Sequence, residues 1–371
     1  MKTETQVLTA FKKPLEPQAF DLQPLGTGEV LVKVLAAGVC GSDLHMASGE
    51  DPRTPLPIIL GHEGVGEVVE VKGRKADTQG RPLKPGRRVL WNRGVVCGKC
   101  WFCTHGEPHL CRDRFVYGIH RGTEVPPHVN GCYSQYLPLD VRTDILSIDD
   151  VPEEHLATLV TASCSGATAA HAFDHFPPAE GETVVIQGVG PLGCFMTALA
   201  RDCGAATIIA IDLAEARLEL AKRFGATHTL SLKETSAEER RAAVRDLTGG
   251  RGADAAYEAV GKAAVVREGL GLVRQGGRYI AAGFGQPGGT MEWDPFADLV
   301  RPDLKVVGVW VSHTRHMARA LDLMKRHLED FAAMVTHRLP LAEANRAHDL
   351  MRRGEAMKVV LEPHAQVINP P

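Results

Sequence analysis

TVVIQGVGPLG, residues 183–193, is an apolar, β-branched run followed by three closely spaced glycines. The run predicts a buried strand, and the residues after it predict a helix. In the turn between them, Gly188, Gly190 and Gly193 form the pattern GxGxxG, with Leu192 beside the last glycine. Glycines here permit a tight turn and a close approach of the backbone to a pyrophosphate at the helix N-terminus. Glycine also serves ordinary turns, so the flanking strand and helix give the pattern its weight.

A second predicted strand, TIIAID, ends in Asp212, 19 residues after Gly193. A carboxylate at this place can accept hydrogen bonds from the 2′-hydroxyl of an adenosine ribose and repels a 2′-phosphate, which favours NAD over NADP. The alternative is that Asp212 caps the helix AEARLELAK. We expect Arg217 to flank the ribose, unless it is a solvated helix charge, and Val260 to line the nicotinamide side.

The pattern of apolar residues along the chain changes near Pro152. From Glu29 to about Leu139 the apolar runs are short, β-branched and broken by Gly and Pro, which indicates a β-rich, barrel-like unit with long loops. From Glu182 predicted strands alternate with predicted helices, which indicates a doubly wound parallel sheet of the α/β class. We therefore expect a β-rich domain at residues 1–165 and 305–371, and a nucleotide-binding domain at residues 166–304.

Four cysteines crowd the stretch CGKCWFCTHGEPHLC, namely Cys97, Cys100, Cys103 and Cys111. Four thiolates on one lobe are what a tetrahedral zinc ion requires for a closed, structural site. Disulfides or unliganded thiols are the alternative. The chain has nine cysteines, and this odd number excludes complete pairing within one chain. Metal binding is therefore the preferred interpretation.

Three other residues predict a second zinc site. Cys40 follows an apolar strand in VCGSDLH, His62 lies in GHEGVG, and Cys164 lies in TASCSGAT. Each alone has an ordinary explanation, because free cysteine is often buried as a small hydrophobe. Together they supply S, N and S ligands and leave a fourth position for water or an alcohol. Zinc there would stabilise an alkoxide, which is a far better hydride donor than its alcohol.

Composition narrows the classes of partner. The 371 residues suffice for two domains, and 42 basic against 45 acidic residues give a net charge of −3 without a basic stripe. We therefore expect a small-molecule partner and neither nucleic acid nor a membrane. No segment resembles a signal peptide or approaches the ~20 apolar residues of a membrane span, so we expect a cytoplasmic protein.

Nearly the whole chain resembles the zinc-dependent alcohol dehydrogenases of the medium-chain dehydrogenase/reductase superfamily. The resemblance is carried by residues 40–45, 61–64, 97–111, 164–168 and 188–193. It implies a GroES-like catalytic domain, a Rossmann-type domain that binds NAD(H), two Zn²⁺ per chain, and a homodimer or homotetramer. It also implies that Cys40, His62 and Cys164 hold the catalytic zinc.

The resemblance further implies roles for neighbouring residues. Glu63 can enter the zinc coordination sphere during ligand exchange, and Asp43 orients the zinc-binding histidine. Ser42 takes the alcohol proton, which passes through the nicotinamide ribose to His45 and then to solvent. A local turn with a surface histidine is the alternative for Ser42 and His45.

Two more cofactor contacts follow from the same resemblance. Thr168 is expected to pack on the nicotinamide, and Lys358 to reach the pyrophosphate. Gly41 stands where some family members place a basic residue on the pyrophosphate, so that contact is not implied here.

The sequence thus predicts an NAD-dependent zinc alcohol dehydrogenase, in which a zinc-bound alkoxide transfers a hydride to nicotinamide C4 and gives an aldehyde or ketone reversibly. Two alternatives stay open: a dehydrogenase of a specialised metabolite (terpene alcohol, polyol or phosphonate), and a non-catalytic NAD- and zinc-binding scaffold. In the loop 115–137, His120, Arg121 and His128 could meet a polar or anionic substrate, or simply belong to a surface loop.

Overall fold

The computed structural model describes residues 1–366, which form eighteen strands and ten α-helices. The strands are β1 Lys2–Leu8, β2 Glu16–Asp21, β3 Val30–Val39, β4 Ile58–Ile59, β5 Glu63–Val71, β6 Arg88–Trp91, β7 Gly94–Val95, β8 Phe115–Val116, β9 Tyr136–Leu139, β10 Ile145–Ser147, β11 Thr183–Gln187, β12 Thr207–Asp212, β13 His228–Ser231, β14 Ala253–Glu258, β15 Val273–Ala281, β16 Lys305–Gly308, β17 Val335–Pro340 and β18 Lys358–Glu362. The helices are α1 Gly41–Ser48, α2 Trp101–Thr104, α3 Ser165–His175, α4 Pro191–Asp202, α5 Glu215–Phe224, α6 Ala237–Leu247, α7 Ala263–Leu270, α8 Thr314–Arg326, α9 Leu328–Ala332 and α10 Ala344–Arg352.

The chain forms two units, one of residues 1–164 with the segment from His313 onward, and one of residues 165–312. The boundary that the sequence places at residue 305 is wrong by eight residues, because β16 pairs with β15 in the second unit, with Arg278 opposite Lys305. Residues 367–371, which the sequence assigns to the first domain, lie outside the described residues.

The second unit is built on an all-parallel six-stranded sheet with the order β13-β12-β11-β14-β15-β16. In order of appearance along the chain this is 3-2-1-4-5-6, the arrangement of dinucleotide-binding sheets. All five residues of β11 are buried, as its continuous apolar run predicts for a central parallel strand. Helix α4 packs against β11 and β12, and α7 against β14 and β15. The doubly wound class predicted from the sequence is confirmed.

The first unit centres on a seven-stranded sheet in which β3 pairs with β5, β9 and β18. At one end of this sheet, Gly38 lies opposite Glu63, and Val39 lies opposite Val359. Three strands therefore end or begin at the same place. Cys40 follows β3, His62 precedes β5, and Lys358 opens β18. This register brings chemistry-bearing residues from distant parts of the chain to one edge.

No helix within residues 1–366 has both the length and the apolar character needed to cross a membrane.

The glycines of the GxGxxG turn are needed for different reasons. Gly188 has φ +84°, a conformation that side chains disfavour, and a Cβ on Gly193 would lie 1.9 Å from the Gly188 carbonyl oxygen. Gly190 differs, because a Cβ there would meet nothing nearer than the Arg217 guanidinium at 3.9 Å. Gly193 is thus required by close backbone packing, whereas Gly190 leaves open space above the turn for a ligand.

We expect Gly193→Ala to destabilise the protein by about 1–3 kcal/mol, the usual cost of overpacking. Gly190→Ala is the matched control and should leave stability near wild type while weakening binding of the dinucleotide. Thermal unfolding and NADH titration separate the two effects. Equal melting temperatures for both variants would contradict the packing argument.

Candidate active site

Four side chains from three segments meet inside the first unit. The donor atoms of Cys40, His62, Glu63 and Cys164 all lie within 4.8 Å of one another. Cys40 is the residue before α1, His62 precedes β5 and Glu63 opens it, and Cys164 follows the 3-10 segment Glu153–Ser163. His62 and Glu63 are fully buried, and Cys164 is nearly so. The structure therefore assembles the donor set that the sequence predicts.

The two thiols of this cluster differ in acidity. The Cys164 Sγ lies 3.6 Å from the His62 Nε2 atom. A hydrogen bond from Cys164 holds the pKa of Cys40 well below its usual value, against the opposing effect of burial, and the same bond together with burial raises the pKa of Cys164. The Cys40 thiolate is thus stabilised by Cys164, and also by the buried cations His62 and Lys358. Two sulfurs and an imidazole fit zinc, whose open sites use three such ligands.

Asp43 ties the ligand segments together. Its Oδ2 accepts a hydrogen bond from the Cys40 backbone N–H at 2.8 Å, and its Oδ1 accepts one from the Gly61 N–H at 3.3 Å. The same Oδ1 lies 3.4 Å from the His62 Nδ1, and both side chains are fully buried. Burial alone would lower the pKa of His62, but the charge of Asp43 and its hydrogen bond raise it to about 9. Asp43 therefore fixes the orientation of the ring, with Nε2 directed at the thiols.

Lys358 forms a buried ion pair with Glu63. Both side chains are at most 1 % exposed. Burial raises the pKa of Glu63, whereas Glu63 raises the pKa of Lys358 against the larger, opposing effect of burial. The sequence expects Lys358 on the pyrophosphate of the cofactor, but the structure gives its ammonium group to Glu63. The reason is the strand register: β18 begins at Lys358, and its next residue, Val359, pairs with Val39, which places Lys358 beside the donor set.

Ser42 and His45 lie on α1, just beyond Cys40. The Ser42 Oγ is 3.9 Å from the Cys40 Sγ. The His45 Nδ1 lies 2.6 Å from a carboxylate oxygen of Glu50, and this hydrogen bond holds the pKa of Glu50 below its usual value. His45 is 37 % exposed at its side chain. The first turns of α1 therefore connect the half-buried Cys40 with a histidine in contact with solvent.

The second cysteine cluster is equally tight. The four Sγ atoms of the lobe lie within 4.8 Å of one another, with Cys100 and Cys103 at 3.6 Å. Backbone N–H groups of Cys97 and Cys100 point at the sulfurs of Cys111 and Cys97, at 3.4 and 3.3 Å. A hydrogen bond from the Cys103 backbone lowers the pKa of Cys100 to about 6, whereas burial raises the pKa of Cys103 to about 12. Four converging thiols supported by backbone donors fit a tetrahedral ion.

In the second unit, Asp212 holds the glycine-rich turn. Its carboxylate accepts N–H bonds from Val189 at 2.8 Å and from Ala214 at 2.9 Å. The alternative that Asp212 caps α5 is wrong, because α5 begins at Glu215 and Ala214 occupies the cap position. Arg217 reaches toward Gly190. Thr168 lies on α3 in the same unit, partly buried.

Glu258 is a residue whose role the sequence does not indicate. This buried carboxylate belongs to the last residue of β14 and accepts N–H bonds from Val260, Gly261 and Gly283. It thereby joins the loops after β14 and β15. Val260, predicted to line the nicotinamide side, stays 41 % exposed at this edge. The signal for Glu258 in the sequence is only its acidic character at the end of an apolar strand.

Arg93 is a second residue that sequence reasoning misses. Its Nη1 donates a hydrogen bond to the Cys164 Sγ at 2.9 Å, and only 7 % of the residue is exposed. Of the loop residues considered above, Arg121 stacks on the Phe115 ring at 3.4 Å, and the His128 ring bonds to the Thr123 carbonyl oxygen. His120 differs, because burial and the charges of Arg114 and Arg53 lower its pKa.

Comparisons with known proteins agree with this geometry. Residues 26–150 match the alcohol dehydrogenase GroES-like domain family, and residues 191–326 match the zinc-binding dehydrogenase family. The chain is 34 % identical over 353 residues to a 5-exo-hydroxycamphor dehydrogenase of Pseudomonas putida, covering 94 % of each chain.

Solved structures show the same likeness. An alcohol dehydrogenase of Thermotoga maritima superposes with a TM-score of 0.93 at 48 % identity, covering 98 % of this chain and all of that one. A Sinorhizobium meliloti 1021 protein described as a zinc-binding dehydrogenase and bound to NADP gives a TM-score of 0.84 at 28 % identity, with 98 % and 100 % of the two chains covered. Two matched domains, a shared full-length fold and both cysteine-containing donor sets lead to one conclusion: the chain belongs to the zinc-dependent alcohol dehydrogenases of the medium-chain dehydrogenase/reductase superfamily, oxidoreductases that act on CH–OH groups.

Proposed function

We propose that this protein oxidises an alcohol reversibly with NAD⁺, with one zinc ion on Cys40, His62 and Cys164 and a second on the four cysteines of residues 97–111. The observation that carries the proposal is the convergence of the first donor set within 4.8 Å, in which a single carboxylate fixes the imidazole. Zinc bound there supplies Lewis acidity that makes the alcohol a stronger acid, and NAD⁺ accepts the hydride. The complete donor set argues against a non-catalytic scaffold.

The surrounding residues are proposed to manage ligand exchange and protons. Asp43 keeps the His62 tautomer and raises its basicity. Glu63 stands among the donor atoms with its charge balanced by Lys358, so it can approach the ligand site during exchange without leaving an uncompensated buried charge. Ser42, near Cys40, accepts the proton of the alcohol, and His45 passes it to solvent beside Glu50.

The preference for NAD is proposed from Asp212. Its buried carboxylate carries a negative charge next to the glycine-rich turn, where a 2′-phosphate would be repelled. Arg217, whose guanidinium approaches Gly190, then flanks the adenosine ribose. Thr168 and Val260 are proposed to contact the nicotinamide.

Assembly and location follow as further proposals. Strand β16 ends the six-stranded sheet, and one of its edges has no partner strand within residues 1–366. Such an edge pairs readily with a second copy, which supports a homodimer or homotetramer. The cysteines of residues 1–366 form no disulfide, which supports a reducing, cytoplasmic location.

The proposed activity is tested by NADH absorbance at 340 nm with a panel of primary, secondary and cyclic alcohols, with zinc content measured in parallel. We expect turnover with about two zinc ions per chain. Cys40→Ser should abolish turnover and retain NAD binding, whereas Cys100→Ser should chiefly lower stability and zinc content. Cys203→Ser, outside both clusters, is the matched control. Wild-type turnover by Cys40→Ser after strict metal removal would refute the assignment of this site.

Asp212→Asn should shift coenzyme preference toward NADP. Removal of the charge relieves repulsion of the 2′-phosphate, and we expect the ratio of kcat/KM for NADP over NAD to rise about tenfold or more. Asp246→Asn removes an exposed carboxylate from α6 and serves as the control. An unchanged ratio in Asp212→Asn would assign coenzyme choice to other residues.

Lys358→Met should destabilise the first unit by about 3–5 kcal/mol, because it leaves the Glu63 carboxylate buried without its cation. The double variant Glu63→Gln/Lys358→Met removes both charges and should regain much of this loss. Urea unfolding of the two single variants and the double variant gives the coupling energy. Strict additivity would mean that the two groups do not stabilise each other.

A further inference from the structure

Beside the Cys40–His62–Cys164 donor set, the first unit holds two neighbouring guanidinium groups. Arg93 reaches the Cys164 Sγ with its Nη1, and its buried Nε has no hydrogen-bond partner in residues 1–366. Arg114 lies across the β7–β8 pair, in which Gly94 stands opposite Val116. The Arg114 guanidinium lies so close to Gly94 that a Cβ there would be 2.6 Å from Nη2 and 2.7 Å from Nε. One peptide step therefore separates Arg93 from the residue on which Arg114 packs.

Within the described residues neither guanidinium is paired with a carboxylate, although Arg93 donates one hydrogen bond to the Cys164 Sγ. Across residues 1–366, no carboxylate lies within 4.0 Å of the Arg93 or Arg114 guanidinium. Asp51, whose charge acts on the neighbouring His120, is already held by Arg53 through bonds of 2.8 and 2.6 Å. The pKa of Asp51 is lowered accordingly, although burial acts in the opposite direction.

The pKa shifts of Arg114 and His120 agree with an excess of positive charge in this region. Burial, with the charges of Arg93 and Arg53 added to it, lowers the pKa of Arg114 to about 9. Burial and the charges of Arg114 and Arg53 lower the pKa of His120 to about 4, so this imidazole is neutral near pH 7. Buried charges are normally paired, because desolvation without a partner is costly. A pair of guanidinium groups kept this way is suited to an anion that arrives from outside.

We infer that Arg93 and Arg114 form a subsite for an oxyanion group on the substrate, so that the alcohol oxidised by this enzyme carries a carboxylate, phosphonate or phosphate close to its hydroxyl. This inference rests on the proposed function, because it places the anion relative to the donor set on which the hydroxyl reacts. Guanidinium forks bind such groups through paired N–H bonds. The contact of Arg93 with Cys164 requires a short substrate, with the oxyanion only a few bonds from the carbinol carbon.

The glycine at position 94 is part of the subsite. Any side chain at this position would occupy the place of the Arg114 guanidinium, and only the flexible end of Arg114 would have to move. Gly94→Ala is therefore expected to displace the second guanidinium without removing its charge. This variant distinguishes a precisely positioned group from a merely positive surface.

The first experiment compares 2-hydroxyethylphosphonate and 3-hydroxypropanoate with propan-1-ol on the zinc-loaded enzyme. We expect kcat/KM for at least one anionic alcohol to exceed that for propan-1-ol by about tenfold or more. The phosphonate and carboxylate arms identify which oxyanion geometry the subsite takes. Turnover of propan-1-ol without any anionic preference would overturn the inference while the proposed function stood. Absence of turnover with every alcohol would contradict the proposed function instead.

Binding provides a readout independent of turnover. Methylphosphonate and acetate are titrated into the zinc-loaded enzyme by calorimetry. For the anion that binds, Arg114→Gln should weaken binding by about 10- to 100-fold, as expected for loss of a charged hydrogen bond. Arg114→Lys should retain part of the affinity, and Gly94→Ala should lose affinity although Arg114 is present.

The matched control is Arg112→Gln, which removes an exposed arginine two residues from Arg114. We expect it to bind the anions as the wild-type enzyme does. Equal weakening by Arg112→Gln and Arg114→Gln would mean a general effect of net charge and would overturn the subsite. The same conclusion would follow if neither anion bound the wild-type protein.

Discussion

The catalytic unit depends on one buried carboxylate. Asp43 accepts hydrogen bonds from the backbone at Cys40 and at Gly61 and lies against the imidazole of His62. A carboxylate that is fully buried must be compensated by such partners, so its position is dictated by three groups at once. The positions of two ligands are thereby coupled through a single side chain. The register of β3 with β5 and β18 brings Glu63 and Lys358 to the same edge of the sheet.

Charge balance around this edge explains features that look unrelated along the chain. Lys358 neutralises Glu63, and Arg93 donates a hydrogen bond to the Cys164 sulfur, so each of these two buried groups lies beside a cation. Arg114 breaks the pattern, because its charge has no carboxylate nearby within residues 1–366. Lys358 therefore completes a charge pair within the protein, whereas Arg93 uses only its Nη1 on Cys164 and Arg114 has no carboxylate partner, so both guanidinium groups keep donors for an anion from outside.

Much of the fold could be predicted from the sequence, because periodicity and turn chemistry are local. Strand β11, the GxGxxG turn and helix α4 are all found where the apolar pattern places them, and the alternation of strands with helices after them forms the expected parallel sheet. The boundary near residue 305 is misplaced, since an edge strand such as Lys305–Gly308 reads the same in either sheet. Both clusters of cysteine and histidine ligands were also predicted. Arg93, Glu258 and the pairing of Lys358 were not, because each depends on which strands become neighbours, and spacing along the chain does not contain that information.

The cysteine lobe at residues 97–111 has a consequence for how the protein tolerates oxygen. A backbone hydrogen bond from Cys103 lowers the pKa of Cys100, which favours its thiolate form, and the Cys103 sulfur lies only 3.6 Å away. Thiolates are the form that oxidants attack, and a neighbouring thiol completes a disulfide. If the zinc ion proposed for this lobe were removed by a chelator, exposure to air would therefore join Cys100 to Cys103, and two of the four proposed ligands would be lost to added zinc. Removal of the proposed ion would then be reversible only in the presence of a reductant, and a bound ion would protect its own ligands from oxidation.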